Sequence, residues 1–416
     1  MAPKPVRERS GGSHGAGVAA RWLQCATVRA KTLTLAGLLA SVLLGGCSLG
    51  DEPSRPPQLG TRSGDDDAAA KLGFPSTATK NTIRVGGGDA AADAAGVASA
   101  VFPGTTDPVR PTAVVLVDGD DWQAGVTAAV LAAPPIGAPL LISEGGDLPP
   151  ITSDTLKRLK PKGSDLSKDA QVIRIGDRPP RPSGFKTAVI EGKDPYTRAA
   201  AIDRFFSAAK GKPSRNVVVA SGEQAAFAMP AAAWAARSGD SVLLTSKDTV
   251  PEPTVEAIKE HSKPNIYVLG PRTVISSKAA KELEKLGNVT RIDGPTPVEN
   301  AIDFARFERR GFGWGVTVPG YNLTLAGTSR PRDAAAAAAL ATKGVYAPLL
   351  LTDRAAELPR ALETYFLSIQ PGFEDDPGQA VYNRVWILGD DKQLSVPAQA
   401  RLDQITELVP VQANAP

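Results

Sequence analysis

The sequence predicts an α/β protein made of three tandem units, each a small parallel sheet layered with helices. Two observations carry this expectation. The strand landmark Ala138-Pro139-Leu140-Leu141-Ile142-Ser143 recurs as Asp240-Ser241-Val242-Leu243-Leu244-Thr245 and as Ala347-Pro348-Leu349-Leu350-Leu351-Thr352, at intervals of about 100 residues. Between these landmarks, continuous Val, Ile and Leu runs alternate with Ala-rich stretches of helical length. That is the pattern of strands buried on both faces and joined by crossover helices.

The remaining elements repeat in a fixed order. Each unit opens with a short strand ending in glycine: Ile83-Arg84-Val85-Gly86-Gly87, Val189-Ile190-Glu191-Gly192 and Arg291-Ile292-Asp293-Gly294. An Ala-rich helix follows, then an apolar strand: Ala113–Val117 before Asp118-Gly119, Val217–Ala220 before Ser221-Gly222, and Leu323–Ala326 before Gly327. A second Ala-rich helix leads into the landmark strand, and a third leads out of it. Each unit then reaches a final strand, Val172–Gly176, Ile266–Gly270 and Val385–Gly389. These glycines fall at strand C-terminal ends, where open α/β sheets place ligands and where loops occur for topological reasons in any such fold. The units are expected over residues 83–188, 189–289 and 290–412.

The N-terminal region reads differently. An apolar run from Leu33 to Leu44 follows Arg29 and Lys31 and ends at Gly45-Gly46-Cys47. It is too short to span a bilayer, which takes about 20 apolar residues. Charged region, apolar region and small residues before a cysteine resemble the export signal of bacterial lipoproteins, which implies cleavage after Gly46 and a diacylated Cys47 at the mature N-terminus. The stretch Met1–Thr27 is longer than such a signal needs, so translation from Val28 is a second possible start. Residues 47–82 are rich in Asp, Ser, Pro and Gly, carry Asp65-Asp66-Asp67 and show no apolar period. They are expected to form a flexible stalk.

Charge and composition narrow the function. The chain holds 47 Lys and Arg against 44 Asp and Glu. Residues 1–46 contain six of the bases (Lys4, Arg7, Arg9, Arg21, Arg29, Lys31) and one acid, Glu8, so the remainder is slightly acidic. A strong basic excess is the first mark of nucleic-acid binding, and it is missing. His261 is the one histidine beyond the leader and Cys47 the one cysteine, which argues against a His-rich zinc site, a Cys-His pair or an internal disulfide framework. No metal or cofactor is expected.

The repeated Leu-Leu-[Ser/Thr] strand, helix and Val-x-Ile-Leu-Gly strand, in three copies behind an export signal, resemble the cell wall-binding repeat 2 family of Gram-positive bacteria over about residues 83–411. The family's Asp-Arg-Tyr followed by Thr-Ala is approached most closely at Asp194-Pro195-Tyr196 and Ala199. Its counterparts are Asp89-Ala90-Ala91 with Ala94, and Thr296-Pro297-Val298 with Ala301. The resemblance implies three repeats packed as a pseudo-threefold module that holds a surface protein noncovalently on an anionic cell-wall polymer.

Other chemistries have local signals. Gly86-Gly87-Gly88-Asp89-Ala90-Ala91 satisfies G-x-G-x-x-A, the dinucleotide-binding pattern, but Glu191-Gly192-Lys193 and Asp293-Gly294-Pro295 do not repeat it. Asp118, Asp120 and Asp121 beside Trp122 offer paired carboxylates with a sugar platform, although aspartates capping a helix read the same way. Ser221-Gly222 lacks the context of a nucleophile elbow.

The expected function is therefore a lipid-anchored, extracytoplasmic wall-binding lipoprotein without catalysis. Its partners would be a cell-wall polymer or peptidoglycan-associated glycan, and the membrane through Cys47. Arg84, Arg174, Arg291 and Arg384 are the expected cationic contacts, because each lies in or beside a recurring strand. The alternatives are an extracytoplasmic solute- or glycan-binding lipoprotein and a degenerate glycan-processing enzyme.

Overall fold

In each of the three large sheets the last three strands of a unit are adjacent, and the strand that opens another unit pairs with the final one. The computed structural model describes residues 77–103, 106–342 and 347–411. The expected export signal, Cys47 and most of the expected stalk lie outside the described residues.

The strands of the three large sheets are β1 Thr77–Ala78, β2 Thr82–Val85, β3 Val114–Asp118, β4 Leu140–Ser143, β5 Val172–Ile175, β6 Thr187–Ile190, β7 Asn216–Ser221, β8 Ser241–Thr245, β9 Asn265–Leu269, β10 Asn288–Ile292, β11 Asn322–Gly327, β12 Leu349–Thr352 and β13 Arg384–Leu388. The first sheet runs β4-β3-β5-β6 and the second β8-β7-β9-β10. The third runs β12-β11-β13-β2, with β1 antiparallel on its outer side. Every other pairing in the three sheets is parallel.

Register makes the three sheets superimposable in sequence terms. Leu116 pairs with Leu141 and Arg174, and Arg174 with Val189. Val219 pairs with Leu243 and Val268, and Val268 with Arg291. Leu325 pairs with Leu350 and Ile387, and Ile387 with Arg84. Thus β6 and β10 sit at the edges of the sheets before them, and β2 closes the third sheet. The start of the folded chain is thereby stitched to its end.

The helices that follow these edge strands go elsewhere. α1 (Ala90–Val101) packs on β4 and on α3 (Pro150–Leu159) in the first unit, while β2 lies in the third. α4 (Pro195–Lys210) packs likewise on β8 and on α6 (Glu252–Glu260), and α8 (Pro297–Arg306) on β12 and on α10 (Arg360–Ser368). Each unit therefore lends a strand to one neighbour and keeps its helix, so none can bury its apolar surface alone.

Each of these helices begins in the same way. Asp89 accepts from Ala92 N, Asp194 from Tyr196 N and Thr197 N, and Thr296 from Glu299 N, which satisfies orphan donors of the first turn. Pro195 and Pro297 occupy the first helical position, where no amide hydrogen is needed. The glycine before each turn is required by close approach. A side chain at Gly86, Gly192 or Gly294 would run into Asp93, Arg198 or Asn300.

At the middle of the molecule α2 (Trp122–Ala128), α5 (Ala225–Ser238) and α9 (Asp333–Ala337), the last continued by a 3₁₀ turn, pack against one another. Alanine lets these axes approach closely: a Cβ on Gly125 would sit 2.9 Å from the Ala335 methyl. Among the described residues no helix is long and apolar enough to cross a membrane.

Candidate functional site

Three equivalent positions define how the units meet. Asp93, Arg198 and Asn300 each lie four residues after the N-cap of α1, α4 or α8, against the strand-ending glycine. Each faces a seam, and the three seams use different chemistry.

Between the first and third units, Arg330 bridges Asp93 and Asp333, its Nε 2.7 Å from Asp333 Oδ2. Both carboxyls are fully buried. Burial lifts the Asp93 carboxyl well above the ordinary range, and the Asp333 carboxylate lifts it further. Burial also carries Asp333 to about 6, against the pull of Arg330. Asp93 also accepts from Gly87 N at 3.1 Å and Gly389 N at 3.2 Å. The glycine-rich loop that resembles a dinucleotide fingerprint thus holds one of the chain's own carboxylates.

Between the first and second units, Arg198 pairs with Asp121 and donates to the Gly192 carbonyl at 3.0 Å. Between the second and third, Asn300 is buried with neither amide atom hydrogen-bonded. Here the seam is aromatic. Trp234 lies 6.1 Å from Phe304, 4.8 Å from Phe312 and 5.3 Å from Trp314, centroid to centroid, and Tyr267 stacks on Phe312. The edge-on contacts of Trp234 with Phe304 and Trp314 add to the area they bury.

The paired carboxylates are similarly engaged. Asp121 caps α2 through Ala124 N. Asp118 is buried, accepts from Asp120 N at 3.0 Å through Oδ1 and forms an ion pair with Arg178, Nε to Oδ2 2.6 Å. Asp120 pairs with Arg332 at 2.6 Å and Arg178 at 3.4 Å. Every carboxylate of the trio has a cationic partner and serves as a cap, turn or seam contact. Among the described residues no group of three or more His, Cys, Asp or Glu is placed to hold a metal ion.

The four arginines expected as ligand contacts are not brought together. Arg84 is 4 % exposed and donates to the carbonyls of Gly389, Asp390 and Leu394 and to Gln399 Oε1, at 2.7–2.9 Å. Burial lowers its pKa from the usual arginine value. Arg174 is also buried and donates to Pro179 and Asp177 carbonyls, at 2.6 and 2.9 Å. Arg291 is partly buried and donates to the Gly270 carbonyl at 2.7 Å. In all three sheets an arginine from the last two strands thus fixes the loop that follows the unit's final strand. Only Arg384, at the start of β13, has an exposed side chain. Sequence reasoning passed over Arg330, Arg198 and Arg178. Their only local signal was Arg330 three residues before Asp333, the spacing of an ion pair on one helical face.

Two surface hollows lie near strand C-terminal ends, one within the first unit and one between the first and third. A groove of about 680 Å³ runs between the N-terminal ends of α1 and α3, over Ala92, Pro150 and Ile151, with Asp89, Glu144 and Asp154 at its rim. A cleft of about 360 Å³ lies beside Asp89, Ser329, Arg330, Arg332 and Gln393.

Three interlocked α/β layer units with seams of this kind define a repeat-built α/β module. The family model for cell wall binding domain 2 (CWB2) matches residues 189–280, which is most of the middle unit. Among solved structures, Cwp6 from Clostridium difficile superposes with a TM-score of 0.61 at 19 % identity, covering 81 % of this chain and 49 % of that one. Cwp8 from Clostridium difficile superposes with a TM-score of 0.59 at 18 % identity, covering 78 % of this chain and 51 % of that one. At this identity the likeness is one of fold, and the chain spans about half the length of both. No curated protein sequence matches it.

Proposed function

We propose that this chain is a lipid-anchored extracytoplasmic protein whose three-unit body holds a cell-wall polymer noncovalently and without catalysis. The observation that carries the reading is the cell wall binding domain 2 match of residues 189–280, lying inside a body of three units with one register. Cys47 behind Leu43-Leu44-Gly45-Gly46 is the proposed lipid anchor, so the molecule would join membrane to wall. Arg84, Arg174 and Arg291 serve the reading indirectly, by shaping the loops beside the final strands. Arg384 is the member of the set able to touch polymer directly.

Sedimentation with purified Gram-positive sacculi tests the binding. The protein should pellet with sacculi at low ionic strength and be released as salt rises, because screening shortens the reach of exposed charges. Failure to pellet at low salt removes the wall-binding reading and favours an extracytoplasmic solute- or glycan-binding protein. Mass spectrometry of the mature N-terminal peptide tests the anchor: a diacylglyceryl Cys47 is expected, and an unmodified peptide running upstream of Cys47 overturns it.

A further inference from the structure

Helix α7 (Ser277–Glu284) carries Lys278 and Lys281, and Lys285 follows at its C-cap. At 3.6 residues per turn this i, i+3, i+7 spacing puts three ammonium groups within an arc of about 60°, along roughly 10 Å of axis. All three side chains are exposed, while Ala279 and Leu283 on the opposite face are buried and the helix packs on β10. Among the described residues no ion pair or side-chain hydrogen bond engages Lys278, Lys281 or Lys285. A shallow cleft of about 350 Å³ runs along them, lined also by Ser277 and Glu282. The Glu282 carboxylate accepts from Val250 N at 3.0 Å, which ties it to the neighbouring loop. Glu284 is exposed on the flank of the stripe.

The fold does not demand these lysines. The corresponding helix of the third unit, α11 (Val396–Ile405), has Ser395 as N-cap where α7 has Ser276, and it carries Pro397, Ala400 and Gln404 at the three positions. Its one cation, Arg401, is paired with Glu363. The first unit has no helix there and passes through Pro179-Pro180. Like charges at i, i+3 and i, i+4 also oppose the helix that bears them. An anion laid along the stripe would remove that repulsion.

We propose that the lysine face of α7 is the contact for an extended polyanion, a glycan chain bearing phosphodiester or carboxylate groups. Ammonium groups on flexible stems act as point charges and accept anions in many geometries, which suits a repeating chain that slides in register. Their spacing is within about one Debye length (8 Å at physiological salt) of neighbour to neighbour, so they act on a polymer together. The identity of the cellular occupant rests on the wall-binding reading; the charge argument does not.

The test measures binding of two soluble probes, poly(glycerol phosphate) and polygalacturonate, to the purified protein at low and high salt. Binding of one or both at low salt is expected, with the stronger probe telling phosphodiester from carboxylate chemistry. The triple variant Lys278→Gln, Lys281→Gln, Lys285→Gln should weaken it by about tenfold or more, since three charges act together. The matching Lys→Arg variant should restore it, and Arg401→Gln should leave it unchanged. An equal melting temperature in the Gln variant separates lost binding from lost fold. Wild-type affinity in the Gln variant overturns the proposal, as does failure of the unmutated protein to bind either polymer at low salt, or binding to anionic phospholipid vesicles alone. If the Gln variant still pellets with sacculi, wall binding stands and the lysine site falls. If the unmutated protein binds the probes through these lysines and ignores sacculi, the reverse holds.

Discussion

His261 Nε2 lies 3.0 Å from Asp203 Oδ2, and His261 Nδ1 lies 2.7 Å from the Ser214 carbonyl oxygen. Both partners are acceptors, so both ring nitrogens donate and the buried imidazole is held as its cation. The histidine at the end of α6 is thus a staple between α4, the loop before β7 and α6 within the second unit.

Burial opposes this charge, but the hydrogen bond and charge of Asp203, with the Ser214 carbonyl, outweigh it and raise the pKa above 6.5. A raised folded value gives stability that is fully present below the unfolded pKa and is lost as pH climbs through the folded one. Urea unfolding from about pH 6 to about pH 9 should show a decline that His261→Gln abolishes. At the acid end the variant should be less stable by about 3 kcal/mol, the cost of leaving Asp203 buried without its cation.

Arg330→Met tests the seam between the first and third units. It leaves Asp93 and Asp333 buried without a counter-charge, and breaking such a pair costs about 3–5 kcal/mol near neutral pH. Because Asp333 titrates at about 6 in the fold against an ordinary 3.8, the folded state binds this proton more tightly, so its contribution to stability grows as pH falls through that window. The damage from Arg330→Met should therefore shrink between about pH 7 and about pH 5. A thermal-unfolding deficit that is constant across this range would refute the account.

Arg84 and Arg384 should separate cleanly. Arg84→Ala strips four acceptors of their donor in a buried loop and should cost on the order of 3 kcal/mol, with aggregation as the visible outcome where the margin is small. Arg384→Glu, at an exposed strand start, should change stability by no more than about 0.5 kcal/mol. Equal melting temperatures for the two variants would contradict the loop-fixing role of Arg84.

Ending the chain after Gly294 keeps the first and second sheets whole and removes β11, β12 and β13. It leaves β2 without a parallel partner and uncovers the faces of α2 and α5 that meet α9. The truncated protein should melt at lower temperature than the full chain or aggregate, because its interfaces carry the cooperativity. An unchanged midpoint in calorimetry would show units that fold independently.

What the sequence by itself determined was the kind and order of elements. Runs such as Leu140–Ser143 and Leu349–Thr352 are apolar on both faces, and only a covered parallel sheet accommodates that; the Ala-rich stretches between them are of crossover length. The glycine at each first strand was legible for the same local reason, since the turn into Asp89, Asp194 or Thr296 leaves no room for a Cβ. Nothing local in the sequence tells a bare lysine stripe such as Lys278, Lys281 and Lys285 from a paired one. Tertiary structure alone decided which sheet each edge strand joins. Strands β2, β6 and β10 are four or five residues long with similar apolar character, and a parallel edge has no hairpin to fix its partner. It also decided the fate of Arg84, Arg174 and Arg291. A strand arginine beside a loop with unpaired carbonyls is drawn into it, because buried acceptors without donors cost more than desolvating a guanidinium that satisfies several at once. The same residue in the same strand, with a tight loop elsewhere, would face solvent as Arg384 does.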